Sequence, residues 1–192
     1  MSLCMAVVLN NRVIMASDTQ SSYGDIKVAI RDDGTAKLYC VGKMLMATAG
    51  NVTAIQIAES VIKGYSNKRL DKKLIINRII PEITIRLKNE AIIKDGSDRV
   101  EFPNILLAEG KKLYNIGRNY CLRILKSTTI GSGGDFVDAY NHELRMSKDP
   151  LKLMNEAILY CAKHSRSVDG TVVHYADTKN LRLEVINNDC SI

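Results

Sequence analysis

The sequence predicts an α+β protein of four layers: two mainly antiparallel sheets face to face, with a helix pair over each outer face. Three observations predict it. Strand-like runs come in hairpins rather than alternating singly with helices, which argues against a parallel doubly wound sheet. The elements follow the order strands, two helices, strands, two helices, strands, so the two halves look alike. The helices carry apolar stripes that must be covered, and such stacked layers would bury them all. No linker, low-complexity tract or short-period repeat interrupts residues 1–192, which are read as a single domain.

Met5-Ala6-Val7-Val8-Leu9 and Arg12-Val13-Ile14-Met15-Ala16 are apolar runs joined by Asn10-Asn11, a tight hairpin turn. A polar stretch runs from Asp18 to Gly24, ahead of a strand over Ile26–Ile30 and a turn at Asp32-Asp33-Gly34. Strands over Ala36–Val41 and Met44–Thr48 follow, separated by Gly42-Lys43. The period then changes. Asn51 can cap a helix with Val52, Ile55, Ala58 and Ile62 on one face. Asp71 can cap a longer one with Ile76, Ile79, Ile80, Ile83 and Leu87 on one face, and Pro81 predicts a kink or break near residue 80. Asp95-Gly96 ends that region. Strands return at Asn104–Ala108, Lys112–Ile116 and Cys121–Leu125. After the loop Gly131-Ser132-Gly133-Gly134, a helix runs from Asp135 to about Met146. Asp149-Pro150 opens another, whose apolar face is Met154, Ala157, Ile158 and Cys161. The last strands are Gly170–Tyr175 and Leu181–Val185.

Composition excludes several functions. With 46% hydrophobic and 25% charged residues the chain is globular, and no apolar run approaches the ~20 residues of a bilayer span. Met1-Ser2-Leu3-Cys4 has no basic flank, so no signal peptide is expected, and a cytoplasmic location without a membrane partner is. The net charge of +6 is dispersed; its densest cluster, Lys68, Arg69, Lys72 and Lys73, is broken by Asp71. With 5% aromatics there are few platforms for base stacking, so no nucleic-acid partner is expected. The five cysteines, at 4, 40, 121, 161 and 190, form no CxxC and stand at no zinc-like spacing from His142, His164 or His174. Neither a disulfide, a metal nor a cofactor is expected. Cys40, Cys121 and Cys161 read as small buried hydrophobes.

Three segments carry a resemblance. Val13-Ile14-Met15-Ala16-Ser17-Asp18, Lys37-Leu38 through Ala47-Thr48-Ala49-Gly50, and Ile130-Gly131-Ser132-Gly133-Gly134 occur in that order. They resemble the "VVMAxD", "KI…AxAG" and "IGSGG" segments of proteasome β-type subunits and of HslV, members of the N-terminal nucleophile (Ntn) hydrolase superfamily. The resemblance covers nearly the whole chain and implies the Ntn-hydrolase fold. It also implies amide-bond hydrolysis of polypeptides, a homo-oligomeric ring and an ATP-dependent unfoldase as partner.

In such enzymes the residue at the amino end is nucleophile and base at once, because its α-amino group, with a pKa of about 8, can take the side-chain proton. Counting back sixteen residues from Asp18, the family's interval, reaches Ser2. The resemblance then makes Ser2 the nucleophile once Met1 is trimmed, Lys37 the ammonium that tunes the amine, and Asp18 the partner of Lys37. Gly50 supplies the oxyanion donor, and Ser132 sits beside the amine. Serine departs from the threonine usual in these peptidases, and the interval from Asp18 to Lys37 is a few residues long for the family. A "DxxSGG" segment is expected near His164–Gly170; with Gly170 as its second glycine, Ser165 takes the acid position and Val168 the serine position. Ser167 and Asp169 are the polar residues at hand as substitutes. Cys4, on the same strand face as Ser2, is the alternative nucleophile of a small-molecule amidohydrolase, and a non-catalytic subunit of the same fold is a further alternative. Each residue also has a plainer role: Asp18 in a turn, Lys37 at a sheet edge, Gly50 ending a strand, Ser132 in a turn and Cys4 in the core. His142 and His164 are assigned none.

Overall fold

A computed structural model describes residues 2–23, 26–29, 37–89, 101–165 and 168–188. The expected turns at Asp32-Asp33-Gly34 and Asp95-Gly96, together with Met1 and Ser167, lie outside these residues.

The first sheet is built on a hairpin. Strands β1 (Cys4–Leu9) and β2 (Arg12–Asp18) pair in the register Leu9↔Arg12, and Asn10 and Asn11 both take positive φ (47° and 63°), as a type I′ turn requires. The strands β3 (Gln20–Tyr23) and β4 (Ile26–Ala29) form a separate two-stranded ribbon. The second sheet is a meander of β5 (Leu38–Val41), β6 (Met44–Ala49), β7 (Asn104–Glu109), β8 (Lys112–Gly117) and β9 (Tyr120–Ile124). Strands β10 (Ser127–Ile130), β11 (Val172–Asp177) and β12 (Glu184–Asn187) complete the first sheet in the order β10-β1-β2-β11-β12, and every pairing is antiparallel.

Alternation along the strands divides the core into three slabs. Cys4, Ala6, Val13 and Met15 of the first sheet meet Leu38, Leu45, Ala47, Leu106 and Leu113 of the second. The other face of the first sheet (Leu3, Met5, Val7, Ile14, Ala16) lies under helices α4 (Gly134–Leu144) and α5 (Pro150–His164), through Val137, Met154, Ala157, Ile158 and Cys161. The other face of the second sheet lies under helix α1 (Val52–Gly64) and the stretch made of α2 (Lys72–Leu74), a π-helical turn (Ile75–Ile79) and α3 (Ile80–Asn89). The order is helix, sheet, sheet, helix: the expected four layers.

The expected caps form. Asn51 accepts from Thr53 and Ala54 N–H, Asp71 from Leu74 N–H, and Asp149 from Lys152 N–H with Pro150 at the first helical position. At Pro81 the helix does not stop: a wider π turn over Ile75–Ile79 precedes it, and α3 continues from Ile80.

Several details differ from the sequence reading. The π turn adds a residue, so the buried row is Ile75, Ile79, Ile83 and Leu87, and Ile76 is exposed. Val52, at the first turn of α1, is also exposed. β3 lies within the polar stretch after Asp18, and β10 precedes the Gly131 loop; neither carries an apolar run. Cys40 is exposed rather than buried, because it stands on β5, an edge strand, whereas Cys121 and Cys161 are buried. No helix among the described residues is long and apolar enough to cross a membrane.

Candidate active site

The β1–β2 ladder runs to the start of the chain and ends on a carboxylate. Asp18 N–H donates to Leu3 O at 3.2 Å, and Leu3 N–H donates to Asp18 Oδ1 at 2.8 Å. Main chain and side chain of Asp18 therefore both fix the residue next to Ser2. Lys37 reaches the same oxygen from the second sheet: its Nζ lies 2.7 Å from Asp18 Oδ1. Thr48 N–H donates to Lys37 O at 2.8 Å, so Lys37 is held in line with β5 and β6. The β3–β4 ribbon occupies the long interval between Asp18 and Lys37.

This ion pair is buried, with side chains 0% (Asp18) and 5% (Lys37) exposed. Burial pushes the Asp18 carboxyl above its ordinary 3.8, and the Lys37 charge and the N–H donors of Leu3 and Asp169 pull it back only in part. Desolvation wins because the carboxylate is withdrawn from solvent, with no exposed surface of its own.

The Ile130–Gly134 turn holds Ser2 from the other side. Gly133 N–H donates to Ser2 O at 3.2 Å. Gly131 has φ +92°, and a Cβ there would stand 2.1 Å from Ser2 O and 2.7 Å from Ser2 C, so a side chain is excluded by both conformation and space. Gly133, one residue before α4, abuts Leu3, Cys161 and Val168.

Two hollows meet at Ser2 and Gly50. The narrow one, about 20 Å³, is lined by Ser2, Gly50, Lys37, Tyr39, Val52 and Gln56 among others. The broad one, about 400 Å³, adds Ala49, Asn51, Glu101, Asn104, Gly131 and Ser132 to Ser2 and Gly50. The structure thus gathers all five residues singled out from the sequence: Ser2, Lys37, Gly50 and Ser132 line these hollows, and Asp18 holds Lys37 from behind.

The alternative residues fall elsewhere. Cys4 is wholly buried between the sheets, its Sγ donates to Thr48 O at 3.3 Å, and burial pushes its thiol up to about 12 against the pull of Lys37. A thiol so placed stays protonated. Ser165 caps the end of α5 through its N–H to Cys161 O, and Val168 is buried against Gly133. Asp169 does come to the site, but with its backbone: its N–H points to Asp18 Oδ2 at 3.4 Å, and its own Oδ1 accepts from Thr171 N–H and Oγ1. His164 packs against Tyr160 with the rings tilted by 47° and their centroids 4.5 Å apart. Among the described residues no group of three or more His, Cys, Asp or Glu could hold a metal ion.

Sequence reasoning missed Glu101, Asn104 and Tyr39 as lining residues. Strand alternation places Tyr39 two residues from Lys37 on the same strand face, a signal that was there to use. Glu101 arrives on an irregular segment with no period to announce it, and Asn104 as the exposed first residue of β7.

No protein-family model and no curated relative matches the chain. Solved structures do. Thiobacillus denitrificans BPH in complex with epoxomicin superposes with a TM-score of 0.69 at 16% identity, covering 91% of this chain and 97% of that one. A structure described as BPH from the same organism gives a TM-score of 0.68 at 17% identity, covering 91% and 96%. Likeness at this identity is likeness of fold, and the chain shares the fold of these BPH structures over 91% of its length.

Proposed function

We propose that this chain is a proteasome-like N-terminal nucleophile hydrolase that cleaves peptide bonds with Ser2. The observation that carries the reading is the meeting of Ser2, Lys37 and Gly50 in one hollow, with Lys37 ion-paired to a buried Asp18. Removal of Met1 exposes the α-amino group of Ser2. The amine takes the Oγ proton as Oγ attacks the substrate carbonyl carbon, and the proton passes to the leaving nitrogen as the C–N bond breaks. Water then adds to the Ser2 ester, gives a proton back through the amine, and releases the acid. The Lys37 charge lowers the pKa of that amine toward the range useful to a base at neutral pH. Gly50 N–H receives the developing oxyanion, and Ser132 positions the amine. In this reading the chain forms a homo-oligomeric ring fed with polypeptide by an ATP-dependent unfoldase, in the cytoplasm.

The test is incubation with a peptide electrophile directed at N-terminal nucleophiles, followed by intact mass and peptide mapping. An adduct on Ser2, absent from Ser2→Ala, supports the reading, and an adduct on Cys4 would move the role there. No adduct, with Met1 retained on protein from its native host, would establish the second reading, a non-catalytic subunit of the same fold. One observation favours that second reading: the positions where the resemblance expects an acid and a serine are held by Ser165 and Val168.

A further inference from the structure

The two hollows beside Ser2 differ in charge. In the narrow one the charged residue is Lys37, whose ammonium is already matched by Asp18 at 2.7 Å. In the broad one, the charged side chain among the described residues that line it is Glu101. Its other polar walls are the neutral side chains of Ser2, Asn51, Asn104 and Ser132. The Asn51 oxygen accepts from Thr53 and Ala54 N–H, while the Asn104 oxygen is one of two, with Asn115 Oδ1, that share the single Tyr120 hydroxyl proton at 3.4 and 3.5 Å. Glu101 is the acceptor that carries a negative charge among the described side chains of this hollow.

Its position is anchored by its neighbours. Phe102 packs against the core under α1 and α3, and Pro103 is buried with its Cα 3.4 Å from where a Cβ on Gly50 would stand. The exposed Glu101 side chain is thus carried on a fixed segment at the rim, beside the residue proposed to receive the oxyanion. At about 400 Å³ the hollow lies within the range of ligand sites and has room for a long side chain.

We propose that Glu101 is a specificity-determining residue and that the broad hollow takes a lysine or arginine side chain next to the reacting bond. The substrates are then polypeptides with a cationic residue at that place. This inference rests on the reading of Ser2 as the reacting centre.

The experiment separates binding from chemistry. The Ser2→Ala protein is titrated at low ionic strength with acetyl-Ala-Ala-Lys-Ala-Ala-amide and with its glutamate counterpart, followed by amide chemical shifts. The lysine peptide is expected to bind about fivefold more tightly, the size of an exposed charge contact, and to shift the Asn104 and Gly131 amides. In Glu101→Gln the two affinities converge, and in Glu101→Lys their order reverses. Equal affinities in Ser2→Ala, shifts confined to other surfaces, or a preference that survives Glu101→Gln would overturn the proposal. Cleavage of the same peptides by the protein with Ser2 intact reports on the hydrolase reading by itself. Charge-selective binding without cleavage sinks that reading alone; cleavage without charge selectivity sinks the Glu101 assignment alone.

Discussion

Replacing Gly131 by alanine asks whether the turn after β10 holds Ser2 in place. The new Cβ would lie 2.1 Å from Ser2 O, short of ordinary contact by about 1 Å. A flexible side-chain tip could swing aside, but the obstructing atoms are backbone carbonyl atoms. Added to this is φ +92°, where an L residue is strained. The conformational part costs about 1–2 kcal/mol and the crowding about 1–3 kcal/mol, so the loss is about 2–5 kcal/mol. Against a total stability of about 5–15 kcal/mol the fold survives in most of that range. Relief comes from moving Ser2, and a shift of about 1 Å at a reacting group slows reaction about 100-fold. Gly110→Ala is the control: φ is +57° there but nothing stands within 4 Å of the added Cβ. Urea denaturation and the rate of adduct formation with the peptide electrophile are measured for both variants. If Gly131→Ala loses no more stability than Gly110→Ala and reacts within twofold of the parent protein, Ser2 is not held as described.

Three further outcomes follow from the same geometry. Lys37→Met strands the buried Asp18 carboxylate without its cation and is expected to cost about 3–5 kcal/mol in urea denaturation and to abolish the adduct; Asp18→Asn added to it restores stability but not reactivity. Reactivity with the electrophile falls with acid at a pH above 3.8, because protonating the raised Asp18 removes the partner of Lys37; Asp18→Asn removes this limb of the pH profile. The stability linkage has the opposite sense: the folded state holds that proton more tightly, so the contribution of Asp18 to stability is greatest below 3.8 and declines as pH rises through the higher folded value. Iodoacetamide at pH 8 labels exposed Cys40 in the native protein and spares Cys4 until denaturant is added, as peptide mapping will read.

Local chemistry made much of this architecture legible in the sequence. The Asn10-Asn11 turn, the caps at Asn51, Asp71 and Asp149, and the apolar row of α5 are decided by neighbours a few residues away, and they formed where expected. β10 was invisible because Ser127–Ile130 is a half-buried edge strand made mostly of hydroxyl residues, defined by its pairing with β1 more than 100 residues upstream. Ile76 and Ile75 exchanged places because a π turn alters the period that sequence reading assumes. The family resemblance singled out Ser2, Asp18, Lys37, Gly50 and Ser132, which the structure brings around the two hollows. It could not supply Glu101 and Asn104, whose place in the cleft depends on how Phe102 and Pro103 pack.

Gly133 has a mechanical consequence. It donates to the Ser2 carbonyl, it immediately precedes α4, and it is wedged between Leu3 and Cys161 of α5. One hydrogen bond and a single peptide link thus couple the outer helical layer to the amino end, with no compressible space between. A load applied to α4 and α5 would therefore pass through these contacts to the backbone of Ser2, like a hand on a lever.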